Sequence, residues 1–338
     1  MLSQIFSAIV AFVVTFLLTP YVIRYFKIVK ITTKDLHKKD KPILPSSAGV
    51  PVAVGIIIGL LFYVFIEVFV YGSFTNSLYI FAALTSILMI MFSGFIDDIN
   101  FSQVKVGKYS EGKRGLKTWQ KPLLTLPAAI PLMVIMAGNT TMSIPFIGLV
   151  NFGILYPLLI IPIGVVCAAN MVNMLGGFNG IEAGMGAVYT LGLGIFAYLN
   201  GSIVAATISL ACFGSLIAIL KYNFFPAKIL PGDSLTYILG AVVATVAILG
   251  NMEKVAIITM VPFLIQGALK FYSKIKLGRF ASDLGVLQKD GTIKSKYGRN
   301  IYSWTHLVMQ GKFTEKQIVL IMIFVQIIFS SLPFLMIF

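Results

Sequence analysis

The chain has 338 residues, 58% of them hydrophobic and only 11% charged, with a formal net charge of +14 and a mean hydropathy of +0.94. That composition excludes a soluble domain, and with it a basic nucleic-acid binder, because the positive charge lies between stretches long enough to cross a bilayer of roughly 30 Å. Two cysteines and two histidines exclude a disulfide framework and a histidine metal cluster.

Ten apolar stretches, approximately 3–26, 51–71, 78–96, 122–138, 153–171, 183–199, 202–220, 234–250, 254–272 and 316–337, predict an all-α integral membrane protein with one polytopic domain over 1–338. The first lacks a basic n-region and a small-residue cleavage site, so it reads as a retained helix. Of the 26 Lys and Arg, seven lie in 24–41, six in 105–121, two in 221–228 and ten in 270–316. The alternate connections, 72–77, 139–151, 200–201 and 251–253, hold none. The positive-inside rule then puts both termini outside and the basic loops in the cytoplasm, where function should concentrate.

In chain order, Gly55 and Gly59 form a small-xxx-small pair, suited to close packing within the chain or to a homodimer seam. The third span ends in Asp97-Asp98. Two acids at a helix C-terminus are disfavoured by roughly 0.3–1 kcal/mol each, and by more near hydrocarbon, so a divalent cation or a lysine is expected to compensate. Neighbours on a helix point about 100° apart, so one can face a metal or act as base while the other is held by a lysine; two solvated acids are the bland alternative. Lys121, closing Gly115-Leu116-Lys117-Thr118-Trp119-Gln120-Lys121, stands on the same side and suits phosphate, the two aspartates, or simple snorkelling. Cys167 and Cys212, each inside a span, read as small packing residues.

Asn170 and Asn173 share a helix face, and Gly176-Gly177 ends that helix before Asn179. An amide oxygen is a legitimate hard-cation ligand, with interhelical hydrogen bonding as its alternative. Asp233, in Leu230-Pro231-Gly232-Asp233-Ser234, opens the eighth span, where an acid caps a helix or completes a carboxylate–amide magnesium site. In 273–315, Asp290-Gly291 between alternating runs predicts a hairpin, and Tyr302, Trp304, Leu307 and Val308 an interfacial segment. Thr314-Glu315-Lys316-Gln317 is a capping box for the last span. A metal, a lysine and an orienting carboxylate at one membrane face are the parts of phosphoryl transfer to a lipid.

These residues resemble the polyprenyl-phosphate N-acetylhexosamine-1-phosphate transferases over nearly the whole chain. The resemblance rests on Asp97-Asp98, the run through Lys121, the Asn170…Asn179 block and Gly232-Asp233. Asn139-Thr140-Thr141 before Ile144-Pro145, then Asn179-Gly180-Ile181-Glu182-Ala183-Gly184 and Ile248-Leu249-Gly250, look most like the archaeal and eukaryotic dolichyl-phosphate branch. The short 273–315 connection looks archaeal. The resemblance implies ten spans in the cell membrane or its ER equivalent and a cytoplasmic Mg2+ site, with Mn2+ as a substitute. It implies transfer of GlcNAc-1-phosphate from UDP-GlcNAc to a polyprenyl phosphate with release of UMP, the first membrane step of lipid-linked oligosaccharide synthesis for N-glycosylation. Asn173 and Asp233 would ligate magnesium, Asp97 and Asp98 act at the catalytic centre, and Lys121 bind phosphate. Asn170, Gly177, Asn179 and Leu230 would meet the nucleotide and sugar, with Asn179 on uracil. Related enzymes often stack an aromatic residue on the base where this chain has Leu230. Ser46 stands where the eukaryotic branch has an acid, and Lys276 and Arg279 substitute for a basic His/Arg cluster. A missing triple-histidine segment speaks against the peptidoglycan branch. Transfer from another UDP-N-acetylhexosamine for a surface polymer, and a transporter or flippase of an anionic substrate, are the competing readings.

Overall fold

The computed structural model describes residues 2–102, 116–144 and 147–336. Gly115, the four Lys and Arg of 105–114, and Pro145 lie outside them. Helix α1 (Leu2–Ile28) leads through a hairpin of β1 (Thr32–Lys34) and β2 (Ile43–Pro45) into α2 (Gly49–Phe65) and α3 (Ser77–Ser102). Two short helices, α4 (Gln120–Thr125) and α5 (Ile130–Val134), precede the hairpin of β3 (Thr141–Ile144) and β4 (Gly148–Asn151). Then come α6 (Ile161–Val172), α7 (Ile181–Leu199), α8 (Ile203–Asn223), α9 (Gly232–Gly250), α10 (Glu253–Thr259) and α11 (Val261–Leu277). A three-stranded sheet of β5 (Val286–Leu287), β6 (Thr292–Lys294) and β7 (Gln310–Thr314), interrupted by α12 (Trp304–Val308), leads to α13 (Glu315–Ser331).

Among the described residues, seven helices are long and apolar enough to cross a membrane, and the α10–α11 pair, bent by 64°, is as long and apolar when its two helices are taken together. Helix also occupies the two remaining expected positions, in shorter or broken form. Pro127 and Pro131 interrupt α4–α5, and the apolar helix over Tyr156–Val172 carries Pro157 and Pro162. Proline removes a backbone donor and clashes with the preceding turn, which hydropathy does not register. Pro262 follows the α10–α11 break for the same reason.

The hub is α9, in which every residue from Ser234 to Ile248 is buried, packed against α3 and α6. Helix α8 joins α1, α7 and α9. Gly55 and Gly59 face α1 within the chain: a Cβ at Gly59 would lie 2.6 Å from the Ser7 carbonyl oxygen. Cys212 is buried as expected, whereas Cys167 is exposed on an apolar cleft.

The basic connections meet at one end. Leu230 N–H donates to Pro45 O, Gly285 N–H to His37 Nε2, and Lys38 pairs with Glu315. The expected Asp-Gly hairpin is there, with Val286 opposite Lys294 and Leu287 opposite Ile293. The capping box is formed too, Thr314 N–H donating to Gln317 Oε1 at 2.9 Å. Trp304 donates its indole N–H to Pro262 O, holding α12 against α11. At the far end, Lys254 reaches Ser143 and the Tyr156 hydroxyl donates to Glu253.

Candidate active site

The two adjacent aspartates have different partners. Helix α3 runs on past them to Ser102, so they lie in its last turns and not at its end. Asp98 reaches the start of α9: Oδ1 accepts the Asp233 N–H at 2.7 Å, and Oδ2 accepts the Ser234 N–H at 3.1 Å and the Ser47 hydroxyl at 2.7 Å. A helix N-terminus carries partial positive charge and unsatisfied donors, so α9 supplies the compensation that the end of α3 lacks. The approach needs Gly232, whose φ of +68° suits glycine and whose missing Cβ leaves room for the Asp98 carboxylate.

Asp97 is the member held by the lysine. Its Oδ1 accepts the Leu116 N–H at 2.9 Å, and its Oδ2 lies 2.7 Å from Lys121 Nζ. The same ammonium lies 2.5 Å from Asp233 Oδ2. Burial acts to lower the Lys121 pKa, but the charges of Asp233 and Asp97 outweigh it and hold it above the ordinary lysine range.

These groups open into a cavity of about 390 Å3. It is lined by seven residues expected from the sequence, Asp97, Asp98, Lys121, Gly177, Asn179, Leu230 and Asp233, and by Ser46. Asn173 stands behind it, its Oδ1 accepting at 3.0 Å from the hydroxyl of Thr236, one turn beyond Asp233. Three expected residues stand apart. Asn170 spends its amide on Thr125 and Val166 O, as interhelical glue. Lys276 and Arg279 are exposed at the end of α11, where Gly278 ends the helix, and Leu284 is what that loop sends to the cavity wall.

Three acids were not assigned to the site from the sequence: Asp35 was not singled out, Glu182 was quoted only within a family block and Glu315 only within a capping box. Asp35 accepts from the Asn179 side chain, and Glu315 from the Asn179 backbone N–H, both at 2.9 Å. Glu182 accepts the Gly177 N–H at 2.9 Å through Oε1, while its buried Oε2 has no hydrogen-bond partner among the described residues. The available signal was scarcity: of twelve acids in a chain of net charge +14, five line this one cavity. His37 stacks on Phe178 beside them, with ring centroids 4.6 Å apart. Burial and then the Lys38 charge push its pKa down to about 4, against the pull of Asp35.

Among the described lining residues five carboxyl groups outnumber two lysines, Lys34 and Lys121, a setting that favours a cation entering together with a phosphate. Among the described residues no three histidine, cysteine or acidic side chains form a ready metal cage. The arrangement suits magnesium, which takes one or two protein carboxylates and completes its octahedron with water and phosphate oxygens.

Membrane-crossing helices with an acidic, lysine-bridged cavity at one end define a membrane-embedded transferase of phosphate esters. Residues 80–251 match glycosyl transferase family 4, and the chain belongs to that family. A Sulfolobus acidocaldarius protein, provisionally named UDP-N-acetylglucosamine–dolichyl-phosphate N-acetylglucosaminephosphotransferase, is 34% identical over 98% of this chain and 95% of its own length. The Dictyostelium discoideum protein of that name is 27% identical, over 73% of this chain and 66% of its own. A Streptococcus thermophilus phospho-N-acetylmuramoyl-pentapeptide-transferase is 27% identical, over 79% and 78%.

Proposed function

We propose that this chain transfers GlcNAc-1-phosphate from UDP-GlcNAc to a polyprenyl phosphate of the dolichyl type, releasing UMP at the cytoplasmic face of the membrane. The observation that carries the reading is the convergence of Asp97, Lys121 and Asp233, from three separate helices, on one cavity. The relatives' names give the donor and acceptor. An apolar cleft of about 290 Å3 between α6, α9 and the bent α10–α11 supports a lipid substrate; Met171 on its wall is two residues from Asn173.

An acceptor phosphate oxygen attacks the β-phosphorus of UDP-GlcNAc, the bond to the bridging oxygen breaks, and UMP leaves with that oxygen. Lys121 turns from its carboxylates to the diphosphate, supplying positive charge where it accumulates. Asp97 orients the acceptor. A phosphate monoester has a second pKa near 6, so little base catalysis is needed at neutral pH, and alignment and charge neutralisation lower most of the barrier. Bound Mg2+ would neutralise the diphosphate, held by Asp233 and by the second lone pair of Asn173 Oδ1. Asp98 keeps the start of α9, and so Asp233, in place.

The test is purified protein in detergent with UDP-GlcNAc and a polyprenyl phosphate, reading UMP across a panel of UDP-sugars. Turnover is expected with UDP-GlcNAc, lost on chelation, restored by Mg2+ and absent in Asp233→Ala. A transporter would release no UMP, and full turnover in Asp233→Ala would remove the metal role of that residue.

A further inference from the structure

Asn179 is 3% exposed and lines the cavity, and both kinds of donor it owns are taken by the protein. Its Nδ2 donates to Asp35 Oδ2 and its backbone N–H to Glu315 Oε1. Lys38 joins the two acids, 3.3 Å from Asp35 Oδ2 and paired with Glu315. A carboxamide has nearly the same shape either way round, so its neighbours decide which end is oxygen. Asp35, a carboxylate paired with Lys38, can only accept. The amide nitrogen must therefore face Asp35, and the oxygen is the polar atom left for the cavity; it takes no hydrogen bond from the described residues. With Nδ2 turned to Asp35, the side-chain oxygen is the atom Asn179 presents to a ligand.

We infer that Asp35 is a positioning residue that sets base specificity: by fixing the amide of Asn179 with its oxygen toward the cavity, it selects uracil through the ring N3–H and rejects cytosine. The inference rests on the reading of the donor as a UDP-sugar. The hydrogen-bonding edge of uracil runs acceptor, donor, acceptor, with N3–H in the middle. In cytosine N3 carries a lone pair, so two acceptors would face each other in a buried site, the arrangement that polar pockets discriminate against most strongly. A turned amide would reverse the preference. With Leu230 in place of a stacking aromatic residue, recognition through the polar edge gains weight.

Equilibrium binding of UDP, CDP and N3-methyl-UDP to the purified full-length chain tests this. The wild type is expected to prefer UDP over both others by roughly 10- to 100-fold, the effect of one buried unpaired acceptor. Asp35→Asn, of the same shape but able to donate or accept, lets the Asn179 amide turn, and the UDP-to-CDP ratio should fall toward one as CDP gains. The exchange Asp35→Asn with Asn179→Asp restores an acceptor toward the cavity at unchanged net charge, so the preference should return. A wild type that binds UDP and CDP alike overturns this inference together with the donor reading. A UDP preference that survives undiminished in Asp35→Asn, or an equal weakening of both nucleotides there, overturns the inference alone, as does N3-methyl-UDP binding as well as UDP. Should Asp35→Asn fail to fold, the exchange variant decides: UDP preference kept supports the inference, and preference lost overturns it.

Discussion

Gly94→Ala probes whether the contact between α3 and α9 sets the geometry of the site. A Cβ at Gly94 would lie 2.5 Å from Ser234 Cα and 2.6 Å from both Asp233 O and Ser234 N, all backbone atoms that cannot rotate aside. Carbon atoms pack at about 3.5–4.0 Å, so the two helices must part by roughly 1 Å. Gly49 blocks escape on the other side, since α9 already runs close to it; a Cβ there would lie 2.5 Å from Leu235 N. Asp98 is one turn along α3 from Gly94. A shift of 1 Å would lengthen its bonds of 2.7 and 3.1 Å to Asp233 N and Ser234 N to about 3.7 and 4.1 Å, beyond hydrogen-bond range. The same shift would pull Asp97 and Lys121 from Asp233. A misplacement of this size costs about 100-fold in rate, and overpacking costs about 1–3 kcal/mol of stability. Gly59→Ala is the control: its Cβ would meet Ser7 O at 2.6 Å and Ala11 Cβ at 2.9 Å, at the α1–α2 contact away from the site. UMP release at saturating substrate and thermal unfolding in detergent are measured on both. Gly94→Ala should lose about 100-fold in kcat, and Gly59→Ala should lose comparable stability with kcat within about threefold. A kcat within twofold of wild type in Gly94→Ala, or equal kcat losses in the two variants, would refute the reasoning.

The two aspartates should separate by readout. Asp98→Asn leaves one of two buried N–H groups without an acceptor and should lower stability by about 1–3 kcal/mol along with activity, whereas Asp97→Asn should lose activity with a much smaller change in unfolding temperature; equal stability losses would contradict the different partners described above. Glu182→Ala frees the Gly177 N–H and should raise the KM for UDP-GlcNAc about tenfold with little change in kcat, and Glu182→Gln, which keeps an acceptor there, should stay near wild type; steady-state kinetics on both variants check it. His37 has a folded pKa of about 4 against 6.5 when unfolded, so the unfolded chain binds the extra proton between those values, and stability should fall as pH drops from 6.5 toward 4 by up to about 3 kcal/mol. Unfolding temperatures across that range should show the slope in wild type and a flatter one in His37→Gln.

What could be read from the chain and what could not divide along a physical line. Charges misplaced for a membrane protein stand out locally, so Asp97, Asp98, Lys121 and Asp233 were visible, and alternating loop charge gave the end of the molecule at which they meet. Span positions followed from hydropathy, while the shortening of two spans and the 64° bend in a third depend on where prolines interrupt the hydrogen-bond ladder. The division of labour between adjacent aspartates was not readable, because it is decided by the start of α9, 135 residues further on, coming to rest on Asp98. Asp35, Glu182 and Glu315 were missed because each sits in a segment where an acid is ordinary; their importance comes from being buried together around one loop.

That burial explains why a cavity meant for a polyanion is walled by acids. Asp98 and Glu182 accept backbone N–H groups that a membrane protein cannot leave unpaired; at Asn179, Glu315 accepts the backbone N–H and Asp35 the side-chain amide. Each is held in place by these donors. Asp97 and Asp233 differ: among the described residues they share a single ammonium, that of Lys121. The site thus has carboxylates that hold its shape and a pair joined through one lysine that faces the cavity. A substitution in the first set should therefore damage binding geometry and stability together, and one in the second should remove turnover while the fold remains.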